Sequence, residues 1–352
     1  MIIDKLNNID LKKNYKFSLN LNKSYNEFNN KKENIRKYNE EKITEFDTDY
    51  FLNSYNYTQK LQKSIKDLKK LIKIKYEFNN TEVFLDIYYN KLSKNKISEI
   101  LNLINFNIIL FKNIHNKVRK QVNINILLTN NKKTININKN NQLTKGNINS
   151  GYTQNTFDNT NNFIVVYRSE ELLKVITHEM IHLYNLHLHK SLNIKINKVI
   201  ENNNRFFSIY ESYTEAFAII FYTFYYSKVN NEDYNDLMKN QIKFNYVQTA
   251  KLLYSQNILN INELKLINEE TNAISYYLLK NLILTNFNKF KLIFNKNNGY
   301  LLENEERVIE FDKILINSFK TDKNNLNYFL DLLSNNKIDK DLIKTFRMNI
   351  LD

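Results

Sequence analysis

The chain has 352 residues, 42% of them hydrophobic, a formal net charge of +14, three Gly, and no Pro, Trp or Cys. That is long and apolar enough to bury a sizeable core over two or three subdomains, so composition excludes a disordered chain. The lack of Cys excludes disulfides and thiolate metal ligands, which leaves His and carboxylate as the metal-binding side chains to look for. The abundant residues (Asn, Lys, Ile, Tyr, Phe) share AT-rich codons, so the bias reads as that of an AT-rich genome, and Asn and Asp are expected to replace Gly and Pro in turns.

The positive charge is concentrated in the first half: residues 1–161 carry 28 basic and 15 acidic side chains, 162–226 six of each, and 227–352 17 and 16. A contact with polyanions through this basic half is one expectation. The plain alternative is codon-driven lysine on a solvated surface. The start, Met1-Ile-Ile-Asp-Lys, lacks the regions of a secretory signal. The apolar run from Ala216 to Tyr226 is too short to span a bilayer, so a soluble protein with no transmembrane segment is expected, its location unspecified.

In chain order, residues 1 to about 55 read as Asn- and Lys-rich and partly helical at best. From Thr58, Leu61, Ile65, Leu68 and Ile72 fall on one helical face while Lys60, Lys63, Lys66, Lys69, Lys70 and Lys73 spread over the remainder, which predicts an amphipathic helix. Further helices are predicted over Glu82 to Lys91 and Ser98 to Asn113. Val122, Ile124 and Ile126 alternate with Asn and lead to Leu128, and Asn130-Asn131-Lys132-Lys133 turns the chain toward Ile135 and Ile137, which predicts a β-hairpin. Phe163 to Tyr167 reads as a strand. Ser169 is the expected cap of a helix with Glu170 and Glu171 in its first turn and Leu172, Val175, Ile176, Leu183 and Leu186 as its apolar stripe. Tyr210 to Tyr226 is a second apolar helix, and Asn235 to Tyr254, Ala273 to Phe294 and Arg307 to Phe319 continue at helical spacing.

The helix after the strand holds His178-Glu179-Met180-Ile181-His182. Side chains four apart stack on one helical face, so His178 and His182 can address one metal ion. Glu179 then stands beside the metal, placed as general base for a water that zinc makes acidic. A catalytic zinc usually takes a third protein ligand, and Glu211 and Glu215, again four apart on an otherwise apolar helix, are the candidates. One can bind the metal while the other holds a ligand histidine. His189 is about 10 Å further along the helix axis than His182 by helix rise. His187 faces away, and His115 stands alone.

These residues resemble the gluzincin metallopeptidases, in which a His-Glu-x-x-His helix is followed by a helix with a Glu ligand and an acidic residue four positions later. Glu211-Ser-Tyr-Thr-Glu215-Ala-Phe is similar to the Glu-x-x-x-Glu-Ala-Phe segment of the anthrax lethal factor family. The resemblance spans Phe163 to Tyr226. It implies His178, His182 and Glu211 as zinc ligands, Glu179 as catalytic base, Glu215 as partner of a ligand histidine, and an extended peptide substrate paired to the strand nearest the cleft.

The expected fold is α+β and predominantly helical, with a zincin-like catalytic core holding a small β-sheet, and helical N- and C-terminal regions. The boundaries read as 1–114 for a basic helical region, 115–230 for the core and 231–352 for a C-terminal lobe. The expected function is zinc-dependent hydrolysis of peptide bonds in a peptide or protein substrate. A basic structural or nucleic-acid-binding protein with a non-catalytic motif, and a zinc hydrolase of a non-peptide substrate, are the other classes open.

Overall fold

The computed structural model describes residues 21–32, 39–45, 48–54, 57–115, 119–135, 143–154, 162–186, 196, 208–295, 305–338 and 345–351. The fold is α+β and mostly helical, with a small mixed sheet. The chain forms two compact units, one from Leu19–Lys132 and Asn149–Leu186, the other from Met1–Ser18, Lys133–Ile148 and His187–Asp352.

The first, sheet-bearing unit contains α1 (Asn22–Lys31), β1 (Asn39–Ile43), α2 (Asp49–Ser54), α3 (Gln59–Lys66), β2 (Lys70–Phe78), β3 (Thr81–Tyr89), α4 (Lys94–His115), β4 (Gln121–Leu127), β5 (Gly151–Gln154), β6 (Phe163–Val166) and α6 (Leu172–Leu183). The strand order is β1-β2-β3-β4-β6-β5, with β3, β4 and β6 mutually parallel and the other pairs antiparallel. Val83, Leu85, Ile87, Val122, Ile124, Ile126, Ile164 and Val166 form one apolar face. The opposite face packs Leu71, Tyr88, Leu127 and Val165 under Phe51 of α2 and Leu61 and Ile65 of α3. Burying an aliphatic side chain of this size stabilises by about 1.5–3 kcal/mol, so these two layers hold the sheet.

Several sequence expectations are corrected here. The helix from Thr58 is real and capped, with the Thr58 hydroxyl accepting from the Leu61 amide. It ends at Lys66, however, and Ile72 belongs to β2. Residues 82–89, expected helical, form β3. Its alternation is clear at Val83, Leu85 and Ile87 but blurred where both Tyr88 and Tyr89 are buried. The turn into it is Asn79-Asn80, both left-handed (φ 52° and 62°), between the paired Phe78 and Thr81. Two consecutive residues of positive φ are what a two-residue hairpin demands. The hairpin expected after β4 does not form, because parallel neighbours occupy both edges of β4. Residues 131–135 have no strand, and Ile137 lies outside the described residues. The region before 55 holds a strand, β1, as well as helices.

Helix α4 is long and apolar enough to cross a membrane, the one such helix among the described residues. It lies instead against α6, with Ile100, Leu103, Ile104, Phe106, Ile109 and Phe111 buried. That is the composition of a core helix.

The second, helical unit contains α5 (Lys145–Ile148), α7 (Ile209–Asn230), α8 (Tyr234–Tyr254), a 3-10 turn (Ile261–Leu266), a π-helix (Ser275–Leu279) running into α9 (Lys280–Thr285), α10 (Phe287–Asn295) and α11 (Glu305–Ser334). The segment expected as one helix over 273–294 is therefore three, with the π turn and a break at Asn286 that side-chain periodicity does not register. Helix α8 packs against α7 and α11, and Gln241 on it binds the C-terminal segment, donating to the Met348 carbonyl (2.8 Å) and accepting from the Ile350 amide (2.9 Å).

Candidate metal centre

In the sheet-bearing unit the chain leaves β6 and enters α6 through Glu171, which is left-handed (φ 59°) and fully buried. Ser169 is not the cap: its hydroxyl donates to the Thr129 carbonyl. Lys174, equally buried, stands 3.8 Å from the Glu171 carboxylate. Every residue from Leu172 to Leu183 is buried, so α6 is enclosed on all sides rather than along one stripe. Asn107 of α4 donates to the Thr177 hydroxyl (3.1 Å), which ties α6 to α4 one residue before the motif.

His178 and His182 project from the same face of α6, one turn apart. Their Nε2 atoms are 3.1 Å from each other and their rings meet edge to face. Two nitrogens bound at about 2.0–2.1 Å to one tetrahedral ion stand about 3.3 Å apart, so the pair is spaced as two zinc ligands would be. A hydrogen bond between neutral rings has a similar length, which makes metal analysis the deciding measurement. Both residues are buried, His178 6% and His182 8% exposed.

Glu179 is turned toward the edge of the sheet. The Thr153 hydroxyl of β5 lies 2.8 Å from Glu179 Oε2 and 2.9 Å from the Glu179 carbonyl oxygen, a donor that restrains the carboxylate against the backbone of its own helix. Gly151, two residues earlier on β5, is what lets strand and helix approach. A Cβ there would stand 2.9 Å from the Val165 carbonyl, 3.0 Å from Glu179 Oε1 and 3.0 Å from Val175 Cγ1. Periodicity gives no hint of Thr153, since β5 is only four residues long. In a chain with three glycines, Gly151 is the signal that could have led there.

In the helical unit, Glu211 stands in the first turn of α7. Ser208 caps this helix, its hydroxyl accepting from the Glu211 amide at 3.2 Å, and the helix dipole favours a carboxylate there. Glu211 Oε2 accepts from the Tyr276 hydroxyl at 3.0 Å. Glu215, one turn on, is buried, in a helix whose Tyr213, Ala216 and Phe217 are buried too. The sequence did not single out Tyr276 from the 24 tyrosines. His187 and His189 lie outside the described residues. Comparison with protein-family models, with curated proteins and with solved structures finds no match to this chain.

Proposed function

We propose that the chain is a zinc-dependent peptidase with a zincin-like core. The observation that carries the proposal is the His178 and His182 pair, two buried imidazoles with facing Nε2 atoms 3.1 Å apart, flanking a carboxylate that an edge strand restrains. The resemblance to the gluzincins supplies Glu211 as the third donor, for a set of two imidazoles and one carboxylate. Such a set suits zinc and leaves one tetrahedral position open. Zinc bound there supplies Lewis acidity toward water and toward a substrate carbonyl. Glu179 takes the proton that water gives up on attacking the scissile carbonyl and passes it to the leaving amine, while Thr153 keeps its carboxylate in place. By the same resemblance, Glu215 is assigned as the hydrogen-bond partner of a ligand histidine.

A peptide substrate is favoured by β5. It is the terminal strand of the sheet order and runs antiparallel to β6, beside the helix that carries Glu179. An edge strand adds an extended peptide through its main chain, which gives affinity along a peptide and none for a non-peptide ester or phosphate. The experiment is a peptide-library digest read by mass spectrometry, run with wild type and Glu179→Gln. We expect cleavage by the wild type alone, with zinc retained in both. Equal cleavage by both proteins removes Glu179 as the base, and no cleavage by a zinc-loaded wild type points to a non-peptide substrate or a binding role.

A second element of the proposal concerns partners. Helix α3 exposes Lys60, Lys63 and Lys66 on the side away from Leu61 and Ile65, in the half of the chain that holds the excess positive charge. We propose that this surface contacts polyanions. Retention of the full chain on heparin should then fall steeply with salt and drop when these three lysines become glutamine. Unchanged retention assigns them to ordinary solvation.

A further inference from the structure

Two consecutive tyrosines on the π-helix do different work. Tyr277 is fully buried, stacks on Phe346 with ring centroids 4.7 Å apart and 13° between planes, and donates to the Phe346 carbonyl at 2.7 Å. Its own carbonyl accepts from Thr249 at 3.1 Å, and the Lys280 ammonium lies 5.6 Å from its ring centroid. The turn at Tyr277 is thus fixed from several directions. Tyr276 points elsewhere and donates to Glu211 Oε2 across 65 residues of sequence. A π turn shifts the phase of every side chain after it relative to an α-helix, and such turns occur often where a functional side chain must be aimed.

We propose that Tyr276 is a positioning residue for Glu211: its phenol holds one carboxylate oxygen and so orients Glu211 as a one-oxygen metal ligand. This rests on the reading of Glu211 as the third zinc ligand. The physical reason is entropy. A glutamate in the first turn of a helix has three side-chain torsions to fix before it can ligate, and a hydrogen bond from an anchored phenol fixes them in advance. Partners of this kind typically contribute 10- to 100-fold in metal affinity. Tyr277 and Phe346 make the donor rigid, which a tyrosine on a surface loop would not be.

The test is zinc affinity by competition with a chromophoric chelator, on full-length wild type, Tyr276→Phe, Glu211→Ala and the double variant. Phe keeps the ring and removes one oxygen, and circular dichroism with a melting curve verifies that the variants fold. We expect Tyr276→Phe to weaken zinc binding by about 10- to 100-fold, Glu211→Ala to weaken it more, and the double variant to match Glu211→Ala alone, because the phenol acts only through that carboxylate. Wild-type affinity in Tyr276→Phe with a loss in Glu211→Ala overturns the role of Tyr276 and leaves the ligand assignment standing. An additional loss in the double variant shows that the phenol acts elsewhere, which also overturns it. Wild-type affinity in Glu211→Ala overturns the ligand assignment itself, and with it this inference.

Discussion

The sheet-bearing unit and the helical unit bury polar groups in different ways. In the first, the sheet's inner face is a lattice of Val, Ile and Leu, and polar groups buried beside it bond a nearby side chain or carbonyl, as Tyr76 does with Asn105, Asn107 with Thr177 and Thr129 with the Tyr167 carbonyl. In the second, α8 alone buries Gln241, Asn245, Gln248 and Lys251, and several of these groups hold the C-terminal segment by its backbone. The Lys251 ammonium donates to the Thr345 carbonyl and Gln241 brackets Met348 and Ile350. An apolar face tolerates conservative exchange, whereas a buried amide is costly to disturb, because removing it strands the groups it served. The difference teaches that the apolar face of the sheet depends on shape, and the anchoring of the C-terminal segment on α8 depends on polar groups that are paired.

The largest expected effect tests the polar side of that contrast. Gln241→Ala leaves the Met348 carbonyl and Ile350 amide without their partner, and should cost about 2–3 kcal/mol in urea unfolding. A loss below about half of the lower figure would show that water replaces the amide and that the helical unit is less dependent on it.

The shape side is tested at Gly151. Alanine there meets the Val165 carbonyl, Val175 and Glu179 at 3.0 Å or less, so Gly151→Ala should cost roughly 1–3 kcal/mol, and it should reduce hydrolysis by displacing Glu179. Thr153→Val, which removes the donor but keeps the shape, should leave stability nearly unchanged and lower turnover. Equal stability losses in both variants would mean that strand and helix are joined by the hydrogen bond and not by close packing.

The smallest effect is electrostatic. Burial raises the Asp86 carboxyl above its ordinary value, Lys73 across the strand pair works against this, and Glu41 adds to it. A carboxyl raised on folding contributes full stability below its unfolded pKa, about 3.9, and loses it as pH rises through the folded value. Asp86→Asn should therefore raise the melting temperature slightly at neutral pH, with the gain shrinking as pH falls toward 4. A gain that grows in acid would reverse the sign assigned to Asp86.

Legibility followed a different division, between what is local to one segment and what takes two. The α6 and α7 helices were readable because their apolar content and the spacing of His178, Glu179, His182, Glu211 and Glu215 are local properties of the sequence. The left-handed positions were readable in kind, since six of the seven non-glycine residues with positive φ among those described are asparagine, and none of the glycines there has positive φ. Asn takes over the role of Gly in this composition. What could not be read was the strand at 81–89, where burial of both faces at Tyr88 and Tyr89 erases the alternation. The parallel pairing of β4 was also hidden, because register is a property of two segments and not of one. Thr153 and Tyr276 were illegible for a related reason. Each acts on a carboxylate 26 or 65 residues away, and neither carries a pattern of its own.

The central claim is that His178 and His182 hold a metal and that Glu179 stands beside it. Zinc content of the purified full chain, measured by mass spectrometry of the acid-digested protein for wild type, His178→Ala, His182→Ala and Glu179→Gln, tests it most directly. The account predicts about one zinc per chain in wild type and in Glu179→Gln, and little in either histidine variant. A zinc-free wild type after purification and zinc reconstitution, or a Glu179→Gln protein as depleted as the histidine variants, would contradict it.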